Sequence, residues 1–560
     1  MPRGRSGAIE QYVPRSEGSN AHAISRPIQR RMRMGRYATG MAERPDGPTR
    51  GSEWRAALSW FALALALRLL FLGRFSLWGD EDYSLDDALR WGTTHLRPNQ
   101  LLYPLFFLLE RGALEVGGFV DVARPDPRQM QWWLRIVPAL AGAAAAAAIY
   151  VGPRGLVDRR ARHVMAAIVT FSPWLLFFSQ FARFYTLLLA LATPAAFGMV
   201  RAWRDADLRA SLLAAAWFLL AVLTHPTALL LLAGHLAGVA AVALLVRRRA
   251  AVPPPAADER PAFERLSGLA RWRGLAGPLG LLLLLAIPAI VRSDLVNKVL
   301  VYRFIAQDAA ESSVAGLLRG IGYNVGPMIG ALALLGLLLL WRRDRALGVH
   351  VAAAVAVPLA GLTVMAALHK SVDERYLMAL LPLALLPAGL LVSDLAGRVA
   401  AHHAGSFLVP LAALAPFAPG VVSNYFDGDR PDMGQAADWV AARLEPGDGI
   451  VSDTHRLMRR YLPETFSDDL LLEAPPPPIP EDVAKHDRMW SSCPRLWVVV
   501  PATFEDQSAE TRRFQEWAWR EGRLQAQIGM PRLDYHQNQL RVFLVEPKRA
   551  ARWTGDPPAR

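Results

Sequence analysis

The sequence predicts a polytopic α-helical membrane protein of about eleven spans that ends in a small α/β domain outside the cytoplasm. Three observations carry this. Apolar runs of the length a bilayer needs recur between residues 55 and 423. Basic residues collect in every second connection between them. After residue 423 the long runs give way to short strand-like and amphipathic segments. Composition agrees: 53% hydrophobic and 20% charged residues, with a mean hydropathy of +0.19, are too apolar for an ordinary soluble chain and too charged for a bare helix bundle.

Residues 1–54 read as a disordered, basic cytoplasmic tail. The first 50 carry ten arginines against four acids, are rich in Gly, Ser and Pro, and lack the continuous apolar core of a cleavable signal peptide. Spans follow near 55–75, 132–152, 163–179, 185–203, 210–225, 227–246, 275–291, 321–341, 347–368, 376–395 and 405–423. The run LLYPLFFLLERGALEVGG (101–118) is too short to cross, and counting it would invert every later loop. It reads as an interfacial or re-entrant helix on the outer side.

The linkers RGLVDRRAR (154–162), RAWRDADLR (201–209), the basic stretches within 247–273, WRRDR (341–345) and GRVAAHH (397–403) share the side of the basic tail. The positive-inside rule makes that side the cytoplasm. It also accounts for the net charge of +13, so a nucleic-acid partner is not expected. One cysteine, Cys493, excludes an intrachain disulfide and a Cys-rich metal site. The alternating inner and outer loops place residues 424–560 outside. There DMGQAADWVAARLEPGDGIVSD reads as a capped helix, a Pro-Gly-Asp turn and a strand. RLWVVVP (495–501) and LRVFLVE (540–546) read as further strands, with a helix over 505–522 between them and a stiff loop in APPPPIP (474–480).

Chemistry gathers at the outer ends of the spans. RFSLWGDEDYSLDD (74–87) sets Asp80, Glu81, Asp82, Asp86 and Asp87 just beyond the first span. Any one of these acids could simply end a helix in water, and Asp86 and Asp87 fit that reading at the start of a short helix. SPWLLFFSQFARFYTLLLA (172–190) places Ser179, Gln180, Arg183 and Tyr185 at another outer junction, where a snorkelling arginine in an aromatic belt is the plainer account. HKSVDERYLMALLPLALLPAG (369–389) places Lys370, Arg375 and Tyr376 at a third. Cations are less frequent on that side, and a lipid phosphate would give them a purpose. His225 in LTHPTALLLL is a further polar residue there, and a satisfied helix-end histidine is its plainer account.

As an ordered set, GDEDYS, SQFARFY, THPTALLLL and RYLMALLPLALL resemble the membrane-embedded GT-C glycosyltransferases of the protein O-mannosyltransferase and aminoarabinose transferase type, over about residues 55–395. DWVAARLEPGDGIV looks like the outer α/β domain that many bacterial members append. The resemblance implies a GT-C-like domain over 55–423 and an extracytoplasmic domain over 424–560. It implies a sugar donor linked through phosphate to a polyprenyl lipid, an acceptor protein, lipid or glycan, and inversion at the anomeric carbon in a bacterial inner or plasma membrane.

On that resemblance Asp80 is the base that takes the acceptor proton, and Glu81 orients the acceptor or the base. Arg183 and Arg375 bind the phosphate, with Lys370 and Tyr185 beside them. Asp82, Gln180, His225 and Tyr376 are further candidates. The chain departs from many relatives at Phe181, where they carry a glutamate. No metal is obligatory; a divalent cation on the Asp80 and Asp82 spacing stays open. A transporter or flippase is the rival reading, but such proteins place charges near the bilayer midplane and often repeat a half, and here the charges lie at span ends with no repeat. Arg68, about two turns inside span one, is the exception. A non-catalytic scaffold is the third reading.

Overall fold

The computed structural model describes residues 50–91, 103–120, 126–250, 313–368, 372–399, 405–426, 432–452, 454–473, 480–501, 509–529 and 539–553, with a few single positions between. Most of the expected tail, most of the expected span at 275–291 and nearly all of APPPPIP lie outside them. The chain divides into a short N-terminal unit, Met1–Ala56, and one compact unit, Ala57–Arg560.

The helices are α1 (Arg50–Leu69), α2 (Gly79–Leu89), α3 (Pro104–Val116), α4 (Pro127–Val151), α5 (Arg159–Phe171), α6 (Pro173–Ser179), α7 (Tyr185–Asp205), α8 (Leu208–Thr224), α9 (Ala228–Ala250), α10 (Val314–Asn324), α11 (Pro327–Arg343), α12 (Arg345–Ala367), α13 (Leu381–Val399), α14 (Gly405–Leu414) and α15 (Ala418–Phe426). Among the described residues six helical stretches are long and apolar enough to cross a membrane, or eight if each of two bent pairs is one span. This is a multi-pass arrangement, and the count is of the described residues, which leave out most of 275–291, one of the eleven expected spans.

Among the described residues, three of the expected runs differ in detail from the expectation. Leu208–Thr224 has 17 residues, just short of a full crossing. The run expected over 163–179 breaks by 58° between α5 and α6, where Ser172 caps α6 and Pro173 opens it. The run expected over 55–75 stops at Leu69, and Phe71 turns the chain with φ 58°. At about 1.5 Å per residue, α3 with its 13 residues covers only some 20 Å.

Buried polar groups stitch these breaks. Proline at 173 lacks an N–H, which leaves the Val169 carbonyl without its helical donor. Arg68 supplies one: Nη2 reaches Val169 O at 2.9 Å, while Nε reaches Ser179 Oγ at 2.8 Å. Arg68 is wholly buried in this structural task. Gln180 does the same for the end of α1, donating to the Arg68 and Leu70 carbonyls at 3.0 and 2.8 Å and accepting from Asn424 at 3.0 Å.

Residues 432–553 carry a five-stranded mixed sheet in the order β2-β1-β3-β5-β4. Its strands are β1 (Gly449–Ser452), β2 (Leu471–Glu473), β3 (Leu496–Pro501), β4 (Arg523–Ile528) and β5 (Leu540–Val545). β1 runs parallel to β2 and β3, and β5 antiparallel to β3 and β4. Helices α16 (Met433–Ala441), α17 (His455–Tyr461), α18 (Pro480–Ser492) and α19 (Ala509–Glu521) complete the region. Its core gathers Val451, Leu472, Val498, Phe514, Trp517 and Phe543. β2 and β4 are missing from the sequence reading: β2 has three residues, and β4 reads RLQAQI without an apolar run.

Candidate active site

Helix α2 begins in the turn after α1, and its first residues build the site. Glu81 is fully buried. Its Oε1 accepts from Arg135 Nε at 2.7 Å and from the Ala182 N–H at 2.8 Å. Its Oε2 accepts from Arg135 Nη2 at 2.6 Å and from the Trp78 N–H at 3.0 Å. Arg135, also fully buried, donates onward to the Phe75 and Ser76 carbonyls at 2.7 and 2.8 Å. One ion pair thus ties three segments together: the turn before α2, the middle of α4 and the loop over 180–184. The Glu81 oxygens hold protein donors, which suits the expected role of orienting the base more than that of orienting an acceptor.

Asp80 stands apart from that pair with its side chain 44% exposed. Two guanidiniums face it from distant parts of the chain. Arg183 Nε lies 3.9 Å and Arg375 Nη1 3.8 Å from Asp80 Oδ2. Charge-assisted hydrogen bonds close to about 2.7–2.9 Å. These contacts are longer, so the cations balance the carboxylate without locking its lone pairs.

Each arginine is held from behind. Arg183 lies over the Phe184 ring at 5.1 Å and donates to Ser84 Oγ at 3.3 Å, and its Nε makes no hydrogen bond among the described residues. Arg375 lies over the Tyr185 ring at 5.4 Å and donates Nε to Asp373 Oδ2 at 2.6 Å. Burial alone would raise the Asp373 carboxyl, but the adjacent Arg375 guanidinium wins and holds it below the usual carboxylate range.

Of the residues expected to meet, the structure brings together Asp80, Arg183, Arg375 and Tyr185. His225 lies one layer back, packed against the mutually touching rings of Tyr103 at 4.9 Å and Phe184 at 4.2 Å, with Nδ1 2.7 Å from Thr227 Oγ1 and the Tyr376 ring 5.9 Å away. It is a buried support for the Phe184 ring under Arg183. Lys370 is half-buried, its backbone N–H on the Met365 carbonyl at 3.0 Å, and is not among the cations facing Asp80. Gln180 is the helix-end clamp described above. Asp82 is ion-paired with Arg460 of α17, whereas Asp80 faces Arg183 and Arg375. Asp87 is buried and Asp86 is partly buried and ion-paired with Arg456 and Arg460, not the solvated residues expected. Among the described residues, no group of three or more His, Cys, Asp or Glu could hold a metal ion.

Sequence reasoning missed Arg135 and Glu110. Both are ionisable residues inside apolar runs, and that was the available signal. Glu110 in α3 is fully buried, and neither carboxylate oxygen has a hydrogen-bond partner among the described residues. Burial pushes this carboxyl well above its usual range, the Glu81 charge adds to the rise, and Arg183 opposes it. It therefore stays protonated in the fold across pH values where the unfolded chain loses that proton. Stability falls as pH rises above about 4.3, the unfolded value, until the folded group also ionises. Glu110→Gln, which cannot ionise, is expected to melt higher than the parent at neutral pH and to match it near pH 4. Melting curves across that range in detergent test this, and a variant that melts lower at neutral pH would contradict it.

No protein-family model matches the chain, and no curated protein matches it. Among solved structures it is similar to ArnT from Cupriavidus metallidurans bound to undecaprenyl phosphate, with 15% identity and a TM-score of 0.49 over 89% of this chain and 99% of that one. The apo state of the same protein gives 14% identity and a TM-score of 0.46 over 90% and 100%. The archaeal oligosaccharyltransferase AglB from Archaeoglobus fulgidus, in complex with an inhibitory peptide and a dolichol-phosphate, gives 13% identity and a TM-score of 0.46 over 80% and 69%. Likeness this distant fixes neither fold nor function for this chain.

Proposed function

We propose that this protein is an integral membrane glycosyltransferase that moves a sugar from a polyprenyl-phosphate donor to an acceptor hydroxyl or amine. The observation that supports this reading best is the half-exposed Asp80 carboxylate set before two guanidiniums, those of Arg183 and Arg375. In the reaction Asp80 takes the acceptor proton as the new bond to the anomeric carbon forms and the bond to the phosphate oxygen breaks. Attack from the face opposite the leaving phosphate inverts that carbon. The departing phosphodiester becomes a phosphomonoester and gains negative charge, which the two arginines stabilise by paired N–H donors. Tyr185 and Phe184 hold the guanidiniums in place, and Glu81 with Arg135 holds the turn that presents Asp80.

In this reading Asp80 and the sheet region over 424–560 lie on the outer side of a bacterial inner or plasma membrane, with the basic tail in the cytoplasm. The acceptor is a protein, lipid or glycan. The arginines supply the positive charge the leaving group needs, so transfer is expected to persist after chelation of divalent cations. The test is to incubate the purified protein with polyprenyl-phosphate sugars and follow transfer, or slow release of free sugar, with and without EDTA. No turnover of any such donor by the intact protein would remove the proposal. Activity lost in EDTA and restored by a divalent cation would replace its metal-free form.

A further inference from the structure

We infer that helix α17 of the C-terminal region belongs to the transfer machinery, with Arg460 a positioning residue that aims Asp80 through its grip on Asp82 and Asp86. The inference rests on the proposed role of Asp80. Helix α2 has only 11 residues, fewer than the roughly 12–15 below which an isolated helix is marginal in water. Its roll must therefore be set by its neighbours. At 3.6 residues per turn, Asp82 and Asp86 lie about 200° and 240° round the helix from Asp80. They form the back of the helix whose front carries the base.

That back is gripped by α17. Arg460 is ion-paired with Asp82, and its Nη2 lies 2.7 Å from Asp86 Oδ1. Arg456 Nη2 lies 2.9 Å from Asp86 Oδ2. The Tyr461 hydroxyl accepts the Leu77 N–H at 2.7 Å and donates to Gln131 Oε1 at 3.2 Å, holding the turn that leads into α2. Asp82 and Asp86 are an i, i+4 pair of like charge, which by itself weakens a helix. One planar guanidinium bridging both carboxylates reverses that penalty and fixes the rotation of the helix. The pair side chains are 6%, 13% and 25% exposed for Asp82, Asp86 and Arg460, so water screens them weakly. At Asp80 itself the contacts are longer, 3.8 and 3.9 Å, so its aim follows from how the rest of the helix is held, by α17 here and by Arg135 at Glu81.

A misplacement of 1 Å at a reacting group can cost on the order of 10²-fold in rate. Arg460→Gln is therefore expected to lower kcat at least about tenfold with the donor KM little changed. Arg460→Lys should fall between the two, because an ammonium cannot span both carboxylates as a fork. Arg460→Gln combined with Asp86→Asn should be no slower than the slower single variant, since both break one contact. Hydrogen exchange of amides 81–89 should speed up in Arg460→Gln while the β3 and β5 amides stay protected. That arm needs no turnover, so it judges the grip even if the donor class is wrong. Unchanged exchange over 81–89 would overturn the inference. So would faster exchange with an unchanged kcat, or rate losses that multiply in the double variant. If Arg460→Gln does not fold, Arg456→Gln, which removes the more exposed half of the grip, is judged by the same two readouts.

Discussion

Replacing Asp80 with asparagine is expected to lower kcat for sugar transfer by about 10²- to 10⁴-fold, the range that a positioned general base contributes. The amide keeps the size and polarity of the side chain but cannot accept the acceptor's proton at a useful pKa. Stability should hardly change. Asp80 is 44% exposed, its two cation contacts are 3.8 and 3.9 Å long, and exposed sites away from special features usually shift stability by about 0.5 kcal/mol or less. The variant should therefore express, melt near the parent temperature and bind donor. Removing its negative charge also leaves Arg183 and Arg375 facing one another with less compensation, so affinity for an anionic donor is expected to hold or rise. Single-turnover transfer beside a donor-binding isotherm separates the two effects. Full activity in Asp80→Asn would take the base role from this residue, and the two arginines would then need another purpose.

The elements of this site differ in how far the sequence reveals them. Asp80, Arg183 and Arg375 are visible because each is a charge at the end of an apolar run, where a plain helix terminus needs only one polar residue. Their convergence depends on packing between segments about 100 and 300 residues apart, which no local pattern encodes. Arg135 was hidden for the opposite reason. It falls inside an expected span, where it could be passed over as one charge in an apolar window, although a charge there demands a partner. Gln180 looked like a site residue because its partners are carbonyls left over at the end of α1, and that end shifted from residue 75 to Leu69. Asp82 and Asp86 looked like open acids because their partners lie 370 to 378 residues away in a region read as a separate domain. Four of the five acids thus resolve into one half-exposed carboxylate, Asp80, and three fastenings for the helix that carries it, Glu81, Asp82 and Asp86.

The fastening at Glu81 is the one whose loss should be felt most in the fold. Glu81→Ala would leave Arg135 wholly buried without its counter-ion and would strip the acceptor from the Ala182 and Trp78 N–H groups. Removing one partner of a buried pair costs about 3–5 kcal/mol, a large share of the 5–15 kcal/mol that holds a typical domain. Poor yield and early melting in detergent are expected, with any surviving activity very low because the turn presenting Asp80 is no longer tied to α4. Glu81→Gln should be milder, since the amide oxygen can keep one backbone donor while the charge is lost. The informative comparison is a double substitution, Glu81→Leu with Arg135→Met. Replacing both charges of a buried pair by apolar groups is often neutral or stabilising. Here the pair also serves backbone N–H and carbonyl groups at Trp78, Ala182, Phe75 and Ser76, which an apolar pair cannot satisfy. The double variant should therefore regain part of the stability lost in Glu81→Ala and none of the activity. Full recovery of both would show that the ion pair neither holds the turn nor aims the base.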